Sequence, residues 1–134
     1  PDVDYVRSLI LNVKSQFPNV KIKFSGALEA ARDLIIKTED VTLDPLKLVG
    51  YLEGSKFIVE VEQGILFGPQ PYLAIKTTSN QYFHDNFDVM IPNKKFSYTL
   101  DFHTIDVKDI SVIAAASSDK LGNFSIVIKE IIDE

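Results

Sequence analysis

Apolar and polar residues alternate along the last two-thirds of the chain, and this period of two limits its fold more than any other pattern. The longest run places Phe96, Tyr98, Leu100 and Phe102 on one side, with polar residues between them. Successive side chains of a β-strand point to opposite faces, so the run predicts a strand with one buried face. Shorter runs predict further strands at residues 46–52, 57–62, 72–78, 110–114 and 124–128. Turn-forming residues separate the runs, which predicts a mainly β fold, either an antiparallel sandwich or a barrel.

The first forty residues show a different pattern. Apolar residues recur at spacings of three or four across residues 3–17, which predicts an amphipathic helix, although residues 9–13 also fit a short strand. Residues 20–24 alternate apolar and basic side chains and predict a strand. Residues 27–37 are rich in helix formers and predict a second helix, whose last residues also fit the start of a strand. We therefore expect one or two N-terminal helices.

The length of the chain indicates its organisation. A chain of 134 residues buries enough apolar surface to fold without a disulfide or a metal. We expect residues 1–134 to form a single domain, with a partly helical segment at 1–40 and a β-sandwich at 45–134. Because the chain begins at Pro1 rather than Met, we also expect a processed form or a piece of a larger protein.

Composition excludes several classes of function. The net charge is −5, and an acidic chain without a basic cluster does not attract a phosphate backbone, so nucleic acid is not an expected partner. No apolar run approaches the roughly 20 residues of a transmembrane helix, so we expect no membrane insertion. The sequence contains no cysteine, which excludes disulfides, thiol catalysis and zinc–thiolate sites. The compartment is not fixed by these features.

No catalytic or metal-binding motif stands out in the sequence. The two histidines are His84 and His103, and no serine lies in a Gly-x-Ser-x-Gly elbow. On a strand, His84 and Asp85 would point to opposite faces and would not act as a pair. Glu60 and Glu62 share a face of a predicted strand, but their alternation with apolar residues predicts that they face solvent rather than a catalytic cleft. We therefore expect a protein that is not an enzyme and that has no cofactor or metal.

One polar segment holds the candidate contact residues. Tyr82 is the aromatic residue best placed to point outward, because the next residue is also aromatic. Exposed aromatic rings stack on sugars, so we take Tyr82 and His84 as candidate ligand contacts. Asp85 and Asn86 are predicted to bond local backbone at a transition from strand to turn, and Pro92 is predicted to start the next turn.

Residues 83–95 read Phe-His-Asp-Asn-Phe-Asp-Val-Met-Ile-Pro-Asn-Lys-Lys and resemble a stretch in the C-terminal immunoglobulin-like domain of β-mannosidases and related glycosidases. In that stretch an aromatic residue precedes a small or polar residue, Asp-Asn, several apolar residues, Pro-Gly and charged residues. The positions that match are Phe83, Asp85, Asn86, Met90, Ile91 and Pro92. Asn93 replaces the usual Gly, while Asp88 and Val89 replace an aromatic and an acidic residue. The resemblance covers about residues 45–118 and leaves residues 1–37 without a counterpart.

The resemblance implies an immunoglobulin-like sandwich without catalytic residues, because the catalytic carboxylates of that family lie on a separate barrel domain. The first hypothesis is a non-catalytic accessory module of a larger protein, such as a glycosidase, with the other domains of that protein as partners. The alternative is a binding or assembly module, such as an adhesin, a secreted surface protein or a virion component. Such a module would contact a protein or glycan ligand through its loops. A small enzyme that uses His84 or His103 is the least favoured hypothesis.

Overall fold

The computed structural model describes residues 2–131, and its fold is mainly β. Two four-stranded antiparallel sheets pack together as a sandwich, and two helices precede them. The chain divides into two compact units, which meet in the sequence between Leu34 and Ile35. The predicted sandwich with N-terminal helices is confirmed, whereas the predicted single domain stays a prediction.

Both N-terminal helices are present. Helix α1 spans Val3–Gln16 and helix α2 spans Ala27–Thr38. The carboxylate of Asp2 accepts a hydrogen bond from the backbone N–H of Asp4 (3.2 Å) and caps the start of α1. Neither helix contains a fully buried residue. The rival interpretation of residues 9–13 as a strand is wrong, because the spacing of three and four places the apolar side chains of α1 on one helical face.

The strand predicted at residues 20–24 is wrong. This segment is neither helix nor strand, and no strand in the described part of the chain pairs with it. Ile22 and Phe24 line an open groove of about 540 Å³ together with the apolar side of α1. Lys23, on the other side, forms an ion pair with Asp33 (2.7 Å). The alternation therefore separates an apolar side from a charged side without any sheet.

Across residues 2–131, the sandwich contains eight strands. In chain order they are β1 (Lys47–Glu53), β2 (Lys56–Gln63), β3 (Tyr72–Thr77), β4 (Tyr82–Asp85), β5 (Asp88–Ile91), β6 (Lys95–Thr99), β7 (Ile110–Ser118) and β8 (Phe124–Glu130). The first sheet has the order β1-β2-β6-β5 and the second has the order β4-β3-β7-β8. A short 3-10 helix at Val107–Asp109 precedes β7. Strand β6 ends before Phe102, which lies exposed in the β6–β7 connection although the alternation predicted it on the strand.

The hydrophobic core lies between the two sheets. Phe57 of β2 and Phe96 of β6 face Ile75 of β3 and Ile113 of β7, and all are almost completely buried. Phe87, in the β4–β5 connection, adds a ring whose centroid lies 6.1 Å from that of Phe57 and 6.3 Å from that of Phe96. Burial of each such side chain stabilises the fold by about 1.5–3 kcal/mol.

The two sheets also contact each other along the edge that β1 and β8 form. The N–H of Leu48 donates a hydrogen bond to the hydroxyl of Ser125 (2.9 Å). A Cβ atom at Gly50 would lie 2.6 Å from Cγ1 of Val127 and 3.2 Å from the ring of Phe57. Glycine is therefore required at this position of β1 because β8 passes so close to it.

A buried carboxylate fastens the β7–β8 turn. Asp119 accepts hydrogen bonds from the N–H groups of Leu121 and Asn123 (both 2.9 Å), from the side-chain amide of Asn123 (2.8 Å) and from the N–H of Leu46 (3.4 Å). Burial by itself raises the pKa of Asp119, but the hydrogen bonds outweigh burial and hold the pKa below its ordinary value. The carboxylate thus ties this turn to the residue that precedes β1.

Candidate functional site

The outer face of the second sheet is an extended apolar surface. The strand register sets Tyr72 of β3 opposite Ala116 of β7, and Ala116 opposite Ile126 of β8. Residues two apart on a strand share a face, so this surface continues along each strand. Its large apolar side chains are each more than half exposed: Tyr72, Tyr82, Phe124, Ile126 and Ile128. We call these residues, together with His84, the apolar face.

The candidate ligand contacts Tyr82 and His84 both lie on this face, on the edge strand β4. The rings of His84 and Tyr72 are stacked, with centroids 6.1 Å apart and planes inclined by 13°. The ammonium group of Lys76 lies 5.8 Å from the centroid of the Tyr82 ring, within reach of a cation–π interaction. The fold therefore brings Tyr82 and His84 together with Tyr72 and Lys76 on one surface.

The exposed part of β8 is the feature that sequence reasoning missed. A strand was predicted at residues 124–128, but its outward side chains were not recognised as a surface. Val127 packs against the core, so Ile126 and Ile128 must point away from it. An antiparallel strand with one solvated face normally alternates apolar and polar residues. The uninterrupted Ile-Val-Ile run was therefore the signal that this face is apolar.

Asp85 and Asn86 lie where the chain crosses from the second sheet to the first. The carboxylate of Asp85 accepts hydrogen bonds from the N–H of Asn86 (2.7 Å) and from the hydroxyl of Tyr98 (2.9 Å). The side chain of Gln70 donates to Asn86 (3.0 Å) and accepts from the N–H of Phe87 (2.7 Å). Burial, and then the hydrogen bond to Asp85, raise the pKa of Tyr98 to about 12. These polar groups bond to one another and so support the crossover.

Pro92 lies in the turn between β5 and β6. The N–H of Lys94 donates to the carbonyl of Ile91 (3.0 Å), which closes the turn around Pro92 and Asn93. Asn93 has a φ of 59°, in the left-handed region that Gly and Asn tolerate best. Asn93 therefore adopts a backbone conformation that Gly also adopts without steric cost.

The second histidine lies outside the apolar face. His103 lies in the β6–β7 connection, with its ring centroid 3.8 Å from that of Phe102. Within the described residues 2–131, no group of three or more His, Asp or Glu side chains is placed to hold a metal ion. His84 and His103 therefore do not share a metal-binding cluster with acidic residues of this part of the chain.

Glu60 is bonded to neighbouring side chains on the outer face of the first sheet. It accepts hydrogen bonds from Lys95 (2.8 Å) and from the hydroxyl of Tyr51 (2.9 Å). The hydrogen bond from Lys95, followed by that from Tyr51, lowers the pKa of Glu60. Its neighbour Glu62 forms an ion pair with Lys47. Glu60 is therefore ionised at neutral pH and lacks the raised pKa of a general acid.

The fold and this surface define a class of protein, a β-sandwich module with an apolar face on one sheet. No helix within residues 2–131 is long and apolar enough to cross a bilayer. In comparisons with protein-family models, with curated proteins and with solved structures, the chain matches none of them. Its function is therefore inferred from its own residues.

Proposed function

We propose that the chain is a non-catalytic accessory module of a larger protein, and that the apolar face packs against another domain of that protein. The observation that carries the proposal is the set of large apolar side chains that share one sheet face and are each more than half exposed. Single exposed apolar side chains are normal, but a contiguous apolar surface is typical of an interaction site.

The shape and chemistry of the face favour a protein partner. Ala74, Ala114 and Ala116 lie along the middle of the sheet. Because their side chains are short, the centre of the face is lower than its two sides. Tyr72 and Tyr82 stand on one side of this centre, and Ile126 and Ile128 on the other. Because its large side chains are more than half exposed, this face does not enclose a small molecule as a pocket does. Aromatic residues are also enriched where proteins meet.

The strand order supports an immunoglobulin-like module. Taken in chain order as A, B, C, C′, D, E, F and G, the strands form one sheet A-B-E-D and a second sheet C′-C-F-G. An immunoglobulin constant-type sandwich has A-B-E-D against C-F-G, and the extra strand C′ belongs to the same sheet in variable types. The disulfide and the tryptophan of antibody domains have no counterpart, since the sequence contains neither Cys nor Trp.

Residues 83–95 favour a glycosidase as the larger protein to which this module belongs. The Asp85-Asn86 pair of the resembling motif lies at the crossover between C′ and D, where it bonds to Tyr98 and Gln70. In the glycosidases that the segment resembles, the catalytic carboxylates lie on another domain. An accessory module of this kind has no activity of its own and holds its position by contact with neighbouring domains.

The proposal can be tested by labelling a single cysteine, because the chain has none of its own. Ile128→Cys should react rapidly with a maleimide in the isolated chain. It should be protected in the full-length protein, because the partner domain covers the apolar face. The extent of labelling is read on the peptide that contains residue 128 by mass spectrometry.

Ser55→Cys is the matched control, since Ser55 is exposed in the turn between β1 and β2 of the first sheet, away from the apolar face. It should label equally fast in the isolated and full-length proteins. Equal labelling of residue 128 in both proteins would contradict docking through this face. Hydrolysis of aryl glycosides by the isolated chain at enzyme-like rates would contradict the non-catalytic role.

A further inference from the structure

An open cleft of about 600 Å³ lies at one end of the sandwich, between the β3–β4 turn and the β6–β7 connection. Phe83 and Phe102 supply aromatic rings to it. Its polar lining includes Thr78, Ser79, Gln81, Asp106, Lys108 and Asp109. We call this the end cleft, and we propose that it binds a neutral oligosaccharide. Its volume lies within the ~300–1,000 Å³ of typical ligand sites.

The two aromatic rings are available for stacking. Phe102 is 84% exposed, and Phe83 is 45% exposed. The turn that carries Phe102 is held by its own hydrogen bonds, since Asp101 accepts from the N–H groups of His103 (2.8 Å) and Thr104 (3.2 Å). The hydroxyl of Thr104 donates to the carbonyl of Thr99 (2.7 Å). An exposed ring on a fixed turn loses little conformational freedom when the apolar face of a sugar ring stacks on it.

The polar groups of the end cleft suit hydroxyl ligands. Thr77 is buried. Its hydroxyl forms hydrogen bonds with the hydroxyl of Ser79 (2.9 Å) and with the N–H of Gln81 (3.0 Å), and these bonds fix the β3–β4 turn. Within residues 2–131, the side chains of Thr78, Gln81 and Asp109 form no hydrogen bond. They offer a hydroxyl, an amide and a carboxylate, and sugar hydroxyls both donate to and accept from such groups.

The charge of the end cleft selects against anionic ligands. Lys108 forms an ion pair with Asp106 (3.1 Å) and also interacts electrostatically with Asp109, so a single lysine of the lining faces two carboxylates. A phosphate or an acidic sugar would be repelled by this excess negative charge. A neutral saccharide can stack on the aromatic rings and form hydrogen bonds with the polar side chains. Because it carries no charge, the acidic lining does not repel it.

The end cleft is distinct from the apolar face. Phe83 and Tyr82 are neighbours on β4, but adjacent residues of a strand point to opposite faces. Tyr82 therefore belongs to the apolar face, and Phe83 to the end cleft. Each surface can be substituted without changing the other. A result that contradicts saccharide binding at the end cleft therefore does not contradict docking through the apolar face.

Isothermal titration calorimetry with neutral hexasaccharides of β-1,4-linked mannose, glucose and xylose tests the proposal on the full chain. At least one of these probes should bind. Phe102→Ala should weaken that binding about tenfold or more, because it removes the exposed stacking ring. Gln81→Ala should weaken it as well. Far-UV circular dichroism should show an unchanged fold, since Phe102 is exposed.

Phe124→Ala is the matched control. Phe124 is 75% exposed, like Phe102, but it belongs to the apolar face. This variant should bind the same hexasaccharide with unchanged affinity. The proposal is overturned if none of the neutral probes binds, if Phe124→Ala weakens binding as much as Phe102→Ala, or if only a sulfated hexasaccharide binds.

Discussion

At the residue scale, a single hydroxyl group connects the two sheets beside their crossover. Tyr98 belongs to β6 of the first sheet, and its O–H donates to Asp85 at the end of β4 in the second sheet. Tyr98→Phe keeps the ring in the core but removes this bond. We expect the free energy of unfolding in urea to fall by about 1–2 kcal/mol, because Asp85 loses a charge-assisted hydrogen bond.

Tyr51→Phe is the control for Tyr98→Phe. Tyr51 also donates to a carboxylate, that of Glu60 (2.9 Å), but this pair is exposed. Its removal should cost less, since water replaces the lost partner. If the two variants lose equal stability, the bond between Tyr98 and Asp85 does not contribute through its burial.

Tyr98 also predicts a loss of stability in alkali. The pKa of its hydroxyl is about 12 in the folded protein, against 10.0 for an ordinary tyrosine. Above pH 10 the unfolded chain therefore releases this proton first, and stability should fall as the pH rises towards 12. In Tyr98→Phe this part of the pH dependence should be absent. Equal alkaline slopes for both proteins would contradict the assignment.

Some properties of individual residues could be predicted from the sequence, and others could not. The exposure of Tyr82 and the local bonds of Asp85 follow from residue type and neighbours, which are visible in the sequence. The stacking of His84 on Tyr72 depends on the register between β3 and β4, and a shift of one residue would separate them. The end cleft escaped notice because it joins two connections that are distant in the sequence.

At the scale of elements, strands with an alternating pattern or an apolar run were predicted from the sequence, whereas β4 and β5 were missed. Burial alternates along β3, where Leu73, Ile75 and Thr77 are buried. In β4 and β5 every residue is exposed, so neither strand carries a pattern of period two. Both lie at sheet edges, where one face has few neighbours to bury it. Their pairing follows from tertiary contacts rather than from local sequence.

The turn after β2 gives a prediction at the same scale. Gly64 has a φ of +77°, and a Cβ atom there would lie 2.8 Å from Cα of Leu46 and 2.9 Å from the carbonyl oxygen of Asp44. Gly64→Ala therefore meets both backbone strain and a clash with backbone that leads into β1. We expect it to lower the free energy of unfolding by about 3 kcal/mol or more, measured in urea.

Gly54→Ala separates the two causes. Gly54, in the β1–β2 turn, also has a positive φ of +57°, but a Cβ atom there would meet nothing within 4 Å. This variant should lose only about 1–2 kcal/mol from backbone strain. If Gly64→Ala is no worse than Gly54→Ala, the close approach of the backbone at Asp44 and Leu46 does not limit residue 64.

At the scale of the whole molecule, the core of the sandwich is built from residues of the second compact unit. Its buried cluster runs from Leu46 to Ala115, with Val127 and Ile131 packed against it, and neither helix contributes a fully buried residue. Composition and length predicted a chain able to bury a core, but they did not predict that residues before Leu34 would form a separate compact unit. The boundary falls within α2, where the sequence shows no change in composition.

A fragment of residues 39–134 should therefore fold by itself. It keeps the whole core cluster and the ion pair between Glu39 and Lys120 (2.6 Å). We expect a cooperative thermal transition within a few degrees of that of the full chain, followed by circular dichroism. A fragment of residues 1–121 should lose the transition, because it lacks β8, which pairs along β7 and supplies Val127 to the core. If the 39–134 fragment is unfolded, the helices contribute to the stability of the sandwich, and the independence of its core is contradicted.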